Sequence, residues 1–290
     1  MIRIGIVGAE NSHSAAIAKT LNINNRVPGA KVVAIWGETD EFAAKAAQSG
    51  QIPTIVKQPA DLIGLADAIV IDHRHAKHHL PAAEAFLKAR LPMFIDKPFS
   101  YRLAEGRDFL QRARKSGVPV TSFSSVPHQK TFADFVKSLK KAGKVSAVTS
   151  AGPCDLNSPY GGVFFYGIHQ VEMLVAAFGQ DVAAAAVTRR PESKSATATL
   201  FFQSGLVASM LLCEQGSMGF QMCATTDSGP VAAKIVSDAD PYLAGIKTFV
   251  RMFKTGKEPL DHARILTPVA VLEALEKSVK TGKVVAVEPA

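Results

Sequence analysis

Between Ile2 and Phe123 six short apolar runs alternate with stretches of helical periodicity, and this alternation restricts the fold more than any other feature of the chain. The runs are 2–7 (IRIGIV), 31–36 (KVVAIW), 53–56, 67–71 (DAIVI), 93–95 (MFI) and 118–123 (VPVTSF). Helices are predicted over about 12–22, 40–49 with an end at Gly50, 79–89 and 103–116. A strand that is apolar throughout suits a parallel sheet covered on both faces, because neither face then meets water. Strand and helix in strict alternation imply a doubly wound parallel sheet.

After Val126 the rhythm changes. A helix over about 131–142 is followed by strand-like runs at 145–150, 182–189, 196–203 and 206–213. The last two flank Ser204-Gly205, a hairpin signal. The expected fold class is therefore α/β: an N-terminal Rossmann-type doubly wound domain over 1–125, then an α+β domain over 126–290 on a mainly antiparallel sheet. At 290 residues two domains are the natural expectation, and 47% hydrophobic against 20% charged residues supplies enough apolar material for two cores.

No segment approaches the roughly 20 apolar residues of a membrane helix, so no membrane partner is expected. The N-terminus reads as a strand, not as a leader. Three cysteines, Cys154, Cys213 and Cys223, have no CxxC spacing, which argues against a disulfide framework or zinc clip and fits a reducing cytoplasm. The net charge of +8 suits an anionic partner, and a dinucleotide or acidic substrate qualifies. The densest basic run, Lys137–Lys144, reads as a solvated helix end without interleaved aromatics, so nucleic acid is not expected.

A dinucleotide site needs a glycine-rich turn between the first strand and helix, where backbone N–H groups and the helix N-terminus face the pyrophosphate. Here the turn is Gly8-Ala9-Glu10-Asn11-Ser12-His13. Gly8 stands at the first glycine position, Glu10 at the second and His13 at the third. A carboxylate at Glu10 repels phosphate, whereas Asn11, Ser12 and Ser14 offer polar donors or helix caps. A capped turn and a cofactor loop are both compatible with these residues. After the second strand Glu38 is the candidate for the ribose hydroxyls; no arginine adjoins it for a 2′-phosphate, which favours NAD over NADP.

Three further segments accompany IGIVG: Phe94-Ile95-Asp96-Lys97-Pro98, Gly161–Glu172 (GGVFFYGIHQVE) and Leu272–Val287 (LEALEKSVKTGKVVAV). In order and spacing they resemble the glucose-fructose oxidoreductase and inositol dehydrogenase family, Gfo/Idh/MocA. The resemblance implies hydride transfer between a nicotinamide and a hydroxyl-bearing carbon of a sugar, cyclitol or related polyol. Asp96-Lys97-Pro98 is similar to the family's E-K-P, which places Asp96 and Pro98 at the cofactor and makes Lys97 catalytic. His169 takes the place of the histidine in D-x-G-x-H, a second catalytic candidate, but the aspartate position is Phe165, which cannot accept a proton. His79 takes the place of an upstream family histidine.

Lys97 can stabilise developing charge, and His169 is the remaining acid/base candidate, since the unperturbed pKa of a histidine lies near neutrality. Arg74, His79 and Tyr166 are weaker candidates for substrate contact. The run Asp72-His73-Arg74-His75…His78-His79 invites a metal reading, with His75 and His79 on one helix face, but the resemblance implies no metal and none is expected. The resemblance also implies a homodimer or homotetramer through the open sheet of the second domain. The alternative to the oxidoreductase is a redox-inactive relative with a ligand-binding or regulatory role, or one using bound NAD without net redox change.

Overall fold

The structure is a computed structural model describing residues 1–190, 192–214 and 219–290. The chain forms two compact units, Met1–Phe123 with Tyr242–Ile265, and Ser124–Pro241 with Leu266–Ala290.

In the first unit, strands β1 (Ile2–Val7), β2 (Ala30–Trp36), β3 (Thr54–Ile55), β4 (Ala68–Ile71), β5 (Met93–Ile95) and β6 (Val120–Thr121) form one sheet in the order β3-β2-β1-β4-β5-β6. Every pairing in it is parallel. This is the expected doubly wound class, and the reversal of strand order falls between β1 and β4. All four residues of β4 are buried, as a strand covered on both faces requires.

The intervening helices are α1 (Ser12–Ala18), α2 (Asp40–Gly50), α3 (His79–Lys88) and α4 (Leu103–Lys115). α2 starts where the Thr39 hydroxyl accepts the Phe42 N–H at 3.1 Å, with Asp40 and Glu41 favourably placed in the first turn. It ends at Gly50, as expected, and Gln51 takes the left-handed cap at φ 49°. Gly50 is needed for packing, since a Cβ there would lie 2.4 Å from the Ala18 methyl.

The second unit contains α5 (Lys130–Ala142), β7 (Val145–Pro153), α6 (Val163–Phe178), β8 (Val182–Thr188), β9 (Ser195–Phe202), β10 (Val207–Cys213), β11 (Phe220–Thr226) and β12 (Gly229–Ile235). Its strands, with β13 (Val285–Ala286), form a sheet in the order β12-β11-β7-β10-β9-β8-β13. The sheet is antiparallel except where β7 and β10 run parallel. The Ser204-Gly205 hairpin forms as expected, with Gly205 at φ 87°. β11 and β12, which the sequence reading passed over, form a second hairpin.

Two helices complete the chain, α7 (Leu243–Thr255) and α8 (His262–Thr281). α7 differs from the linear division expected near residue 125, because its apolar stripe Ile246, Phe249, Val250 and Phe253 lies in the first unit's core with Phe94 and Phe123. Phe249 stacks on Phe94 with ring centroids 4.7 Å apart.

Candidate functional site

The ladder of the parallel sheet sets where the candidate residues stand. Gly8 N–H donates to the Trp36 carbonyl at 2.9 Å, Asp72 N–H to Val7 at 2.7 Å and Asp96 N–H to Ile71 at 2.8 Å. The residues just past the C-terminal ends of β1, β4 and β5 are thus locked side by side at the switch point, the usual ligand position in open α/β sheets. Gly8 has φ 107°, and a Cβ there would stand 2.7 Å from the Asp72 main chain. Only glycine fits.

Beyond Gly8 the loop N–H groups converge. Ala9 and Glu10 donate to Glu38 Oε2 at 2.8 and 2.9 Å, and His73 Nδ1 lies 2.8 Å from Oε1. Burial works to raise the Glu38 pKa, but the His73 hydrogen bond and the loop N–H groups outweigh it and bring it down to about 2. Glu38 therefore braces the loop from the end of β2. Ser12 is exposed, and Asn11, although at the N-cap position of α1, makes no side-chain cap.

Asn11 turns to the carboxylates instead. Its amide donates to Asp72 Oδ1 at 2.9 Å and to Asp96 Oδ2 at 3.2 Å. His13 Nδ1 stands 3.3 Å from Asp96 Oδ1 and 3.7 Å from Asp72 Oδ1. Lys97 Nζ lies 3.6 Å from Asp96 Oδ2, with both side chains more than nine-tenths buried. Asp72 is fully buried, and burial and the Asp96 carboxylate push its pKa well above the usual carboxylate range. Asp96 is moved the other way: burial opposes its charge, but Lys97 and His13 hold it below that range.

His79 does not stand where a substrate contact needs it. It is fully buried, with Nδ1 2.9 Å from the Pro98 carbonyl and Nε2 2.8 Å from that of His73, so both ring nitrogens brace the main chain. His75 precedes α3 and accepts the Lys77 N–H at 3.2 Å, so the expected shared helix face with His79 does not form. Burial and the nearby Lys77, His78 and His79 lower the His75 pKa to about 4, which keeps that ring neutral. Arg74 is half-buried.

In the second unit His169 lies on α6, buried, with Nδ1 2.7 Å from the Ser124 hydroxyl. Ser124 also accepts the Val126 N–H at 3.1 Å. Sequence reasoning missed Ser124 because it carries no motif; its place at the end of the 118–123 run was the available signal. Phe165 packs against Tyr160 and Tyr166 at 4.9 and 4.8 Å, and Tyr166 is 40% exposed with its ring 5.6 Å from that of His169.

Residues 2–124 match the family described as "Oxidoreductase family, NAD-binding Rossmann fold". No curated protein sequence matches the chain. Similar solved structures include the apo scyllo-inositol dehydrogenase of Lactobacillus casei, at 14% identity and TM-score 0.87, covering 99% of this chain and 98% of that one. The myo-inositol dehydrogenase of the same organism, in complex with NAD(H) and myo-inositol, is 14% identical at TM-score 0.84, with 100% and 98% covered. The myo-inositol 2-dehydrogenase of Lactobacillus plantarum is 16% identical at TM-score 0.85, with 99% of each chain covered. At these identities the likeness establishes the fold.

Proposed function

Residues 2–124 belong to the Gfo/Idh/MocA oxidoreductases, an NAD-binding Rossmann family, and on that premise we propose that the chain is an NAD-dependent dehydrogenase acting on a hydroxyl-bearing carbon of a cyclitol, sugar or related polyol. The observation that carries this reading is the loop past β1. Its two N–H groups already hold an anionic oxygen, that of Glu38, over a glycine whose missing side chain permits close approach. The residues present therefore fit a dinucleotide, with Gly8, Ala9, Glu10, Asn11, Ser12 and His13 at its pyrophosphate and Glu38 at its ribose. Glu38 Oε1 accepts one hydrogen bond and retains a lone pair for a ribose hydroxyl. NAD is favoured over NADP because a second negative group near this carboxylate is repelled.

When bound, NAD supplies the hydride acceptor. Lys97, buried beside Asp96, fixes the substrate oxygen and stabilises the negative charge that develops on it as its proton departs. His169 is the proton-transfer group of the second unit. The Ser124 hydroxyl orients its ring from Nδ1, a task the family's aspartate leaves vacant where this chain has Phe165. The inositol dehydrogenases among the similar folds support a cyclitol substrate. On the second sheet's open face Phe201, Val207 and Leu211 are exposed, which supports a homodimer or homotetramer through that face. A cytoplasmic setting is in keeping with the free cysteines.

Calorimetric titration with NADH and NADPH, followed by turnover of a polyol panel, tests the reading. Lys97→Ala is expected to keep the fold and lose at least about 100-fold in kcat/KM. A second reading, a redox-inactive binding protein, is favoured by Phe165 at the position of the family's aspartate. It prevails if neither nucleotide binds.

A further inference from the structure

The ring of Phe165 belongs to a larger aromatic surface in the second unit. Five rings touch in an unbroken series: centroid to centroid, Tyr160 lies 4.9 Å from Phe165, Phe165 4.8 Å from Tyr166, Tyr166 5.6 Å from His169, and His169 5.5 Å from Phe220. Aromatic rings usually leave water on folding, yet Tyr166 is 40% exposed, and Tyr160, Phe165 and Phe220 each keep part of their surface in solvent. The backbone is shaped to hold these rings. Gly162, just before α6, has φ 58°, and a Cβ there would stand 2.8 Å from the Leu156 carbonyl oxygen, so the turn that brings Tyr160 back onto Phe165 needs glycine. The turn is tied by the Gly161 and Gly162 N–H groups, which donate to the Ser158 carbonyl at 3.2 and 2.9 Å. At the other end of the series a Cβ on Gly152 would run into the Phe220 ring, so a second glycine makes room for that side chain.

We propose that the substrate is a polyol or cyclitol bearing an aromatic substituent, an aryl glycoside in its simplest form, and that Tyr160, Phe165, Tyr166 and Phe220 hold the aryl ring beside His169. The inference rests on the dehydrogenase reading, because His169 identifies the occupant: its imidazole is one of the five rings, so a substrate whose hydroxyl reaches it lays its remaining groups on the rings to either side. A bare polyol fits this surface less well. Its hydroxyls need hydrogen-bond partners when they leave water, and a carboxylate at position 165 accepts them, whereas a phenyl ring does not. The C–H face of one sugar ring rests on one aromatic ring, and four stand beside the imidazole. An aryl group uses the others, since aromatic pairs attract in edge-to-face or offset packing, each worth about twofold to tenfold in affinity beyond the area buried. The two glycines set the rings before any ligand arrives, so little is lost in ordering them on binding.

The test compares 4-nitrophenyl and methyl glycosides matched in their sugar, with glucose, galactose and mannose as the sugars. Dissociation constants are measured by ligand-observed NMR titration with and without NADH, so that recognition is read without turnover, and oxidation is followed separately with NAD. In at least one sugar the aryl member is expected to bind about tenfold or more tightly than its methyl partner. Tyr166→Ala, which removes an exposed ring, should keep native circular dichroism and cut that ratio severalfold. Phe165→Asp should bring the ratio to about one by weakening the aryl member and tightening the methyl member, opposite changes that a general loss of structure does not produce. A wild-type ratio near one, no binding of either member, or a ratio unchanged in both variants overturns the proposal. Oxidation of methyl glycosides without aryl preference also overturns it and leaves the dehydrogenase standing, whereas aryl preference without any oxidation keeps the aromatic site and removes the dehydrogenase reading alone.

Discussion

Glu38 is held as an anion by donors from two neighbouring loops, the Ala9 and Glu10 N–H groups and the His73 ring. Its folded pKa of about 2 lies below the 4.5 of the free side chain. The stabilisation it gives is therefore complete above pH about 4.5 and is lost as the pH falls towards 2, where the folded form also protonates. Glu38→Gln should cost on the order of 1 kcal/mol at neutral pH, since the group is partly solvated, and the gap from wild type should close in acid. Thermal unfolding of both proteins from pH 7 to pH 3 checks this; a gap independent of pH contradicts it. Glu38 was legible in the sequence as a carboxylate after β2. Its partners were not, because His73 and the loop come beside it only when β1, β2 and β4 align.

At the scale of the element, α7 shows how an amphipathic segment finds its core. The stripe Ile246, Phe249, Val250 and Phe253 recurs at helical spacing and is buried with Phe94, on β5, and Phe123. Phe249 is 2% exposed, so Phe249→Ala should destabilise the first unit by about 3–5 kcal/mol. Urea unfolding measures the loss, and a change below about 1 kcal/mol would mean that α7 is not part of that core. The strands and helices before residue 123 were readable because each carries its own periodicity. That α7 joins the first unit was not, because an apolar stripe states that a partner exists without stating which. β7 is a similar case: it was visible as a strand, yet its place between β10 and β11 depends on long-range pairing.

Across the whole molecule, the second unit's open sheet face carries Phe201, Val207 and Leu211, each at least 36% exposed, with Thr197, Ser209 and Cys223. Leu211→Lys places a charge there without touching the buried face. It is expected to shift the protein from a larger assembly to monomer in sedimentation experiments; a wild-type monomer would refute assembly through this face. Among the described residues no helix is long and apolar enough to cross a membrane. What the sequence by itself determined is the fold class, the order of strands and helices in the first unit, and the loop, Lys97 and His169 as candidate positions, since these follow from local periodicity and short motifs. Only the tertiary structure decided that Asn11, His13, Asp72 and Asp96 meet, that Ser124 backs His169, and that His79 braces Pro98. Those contacts join residues far apart in the chain, and a parallel sheet brings its strand ends together whatever the distance between them in sequence.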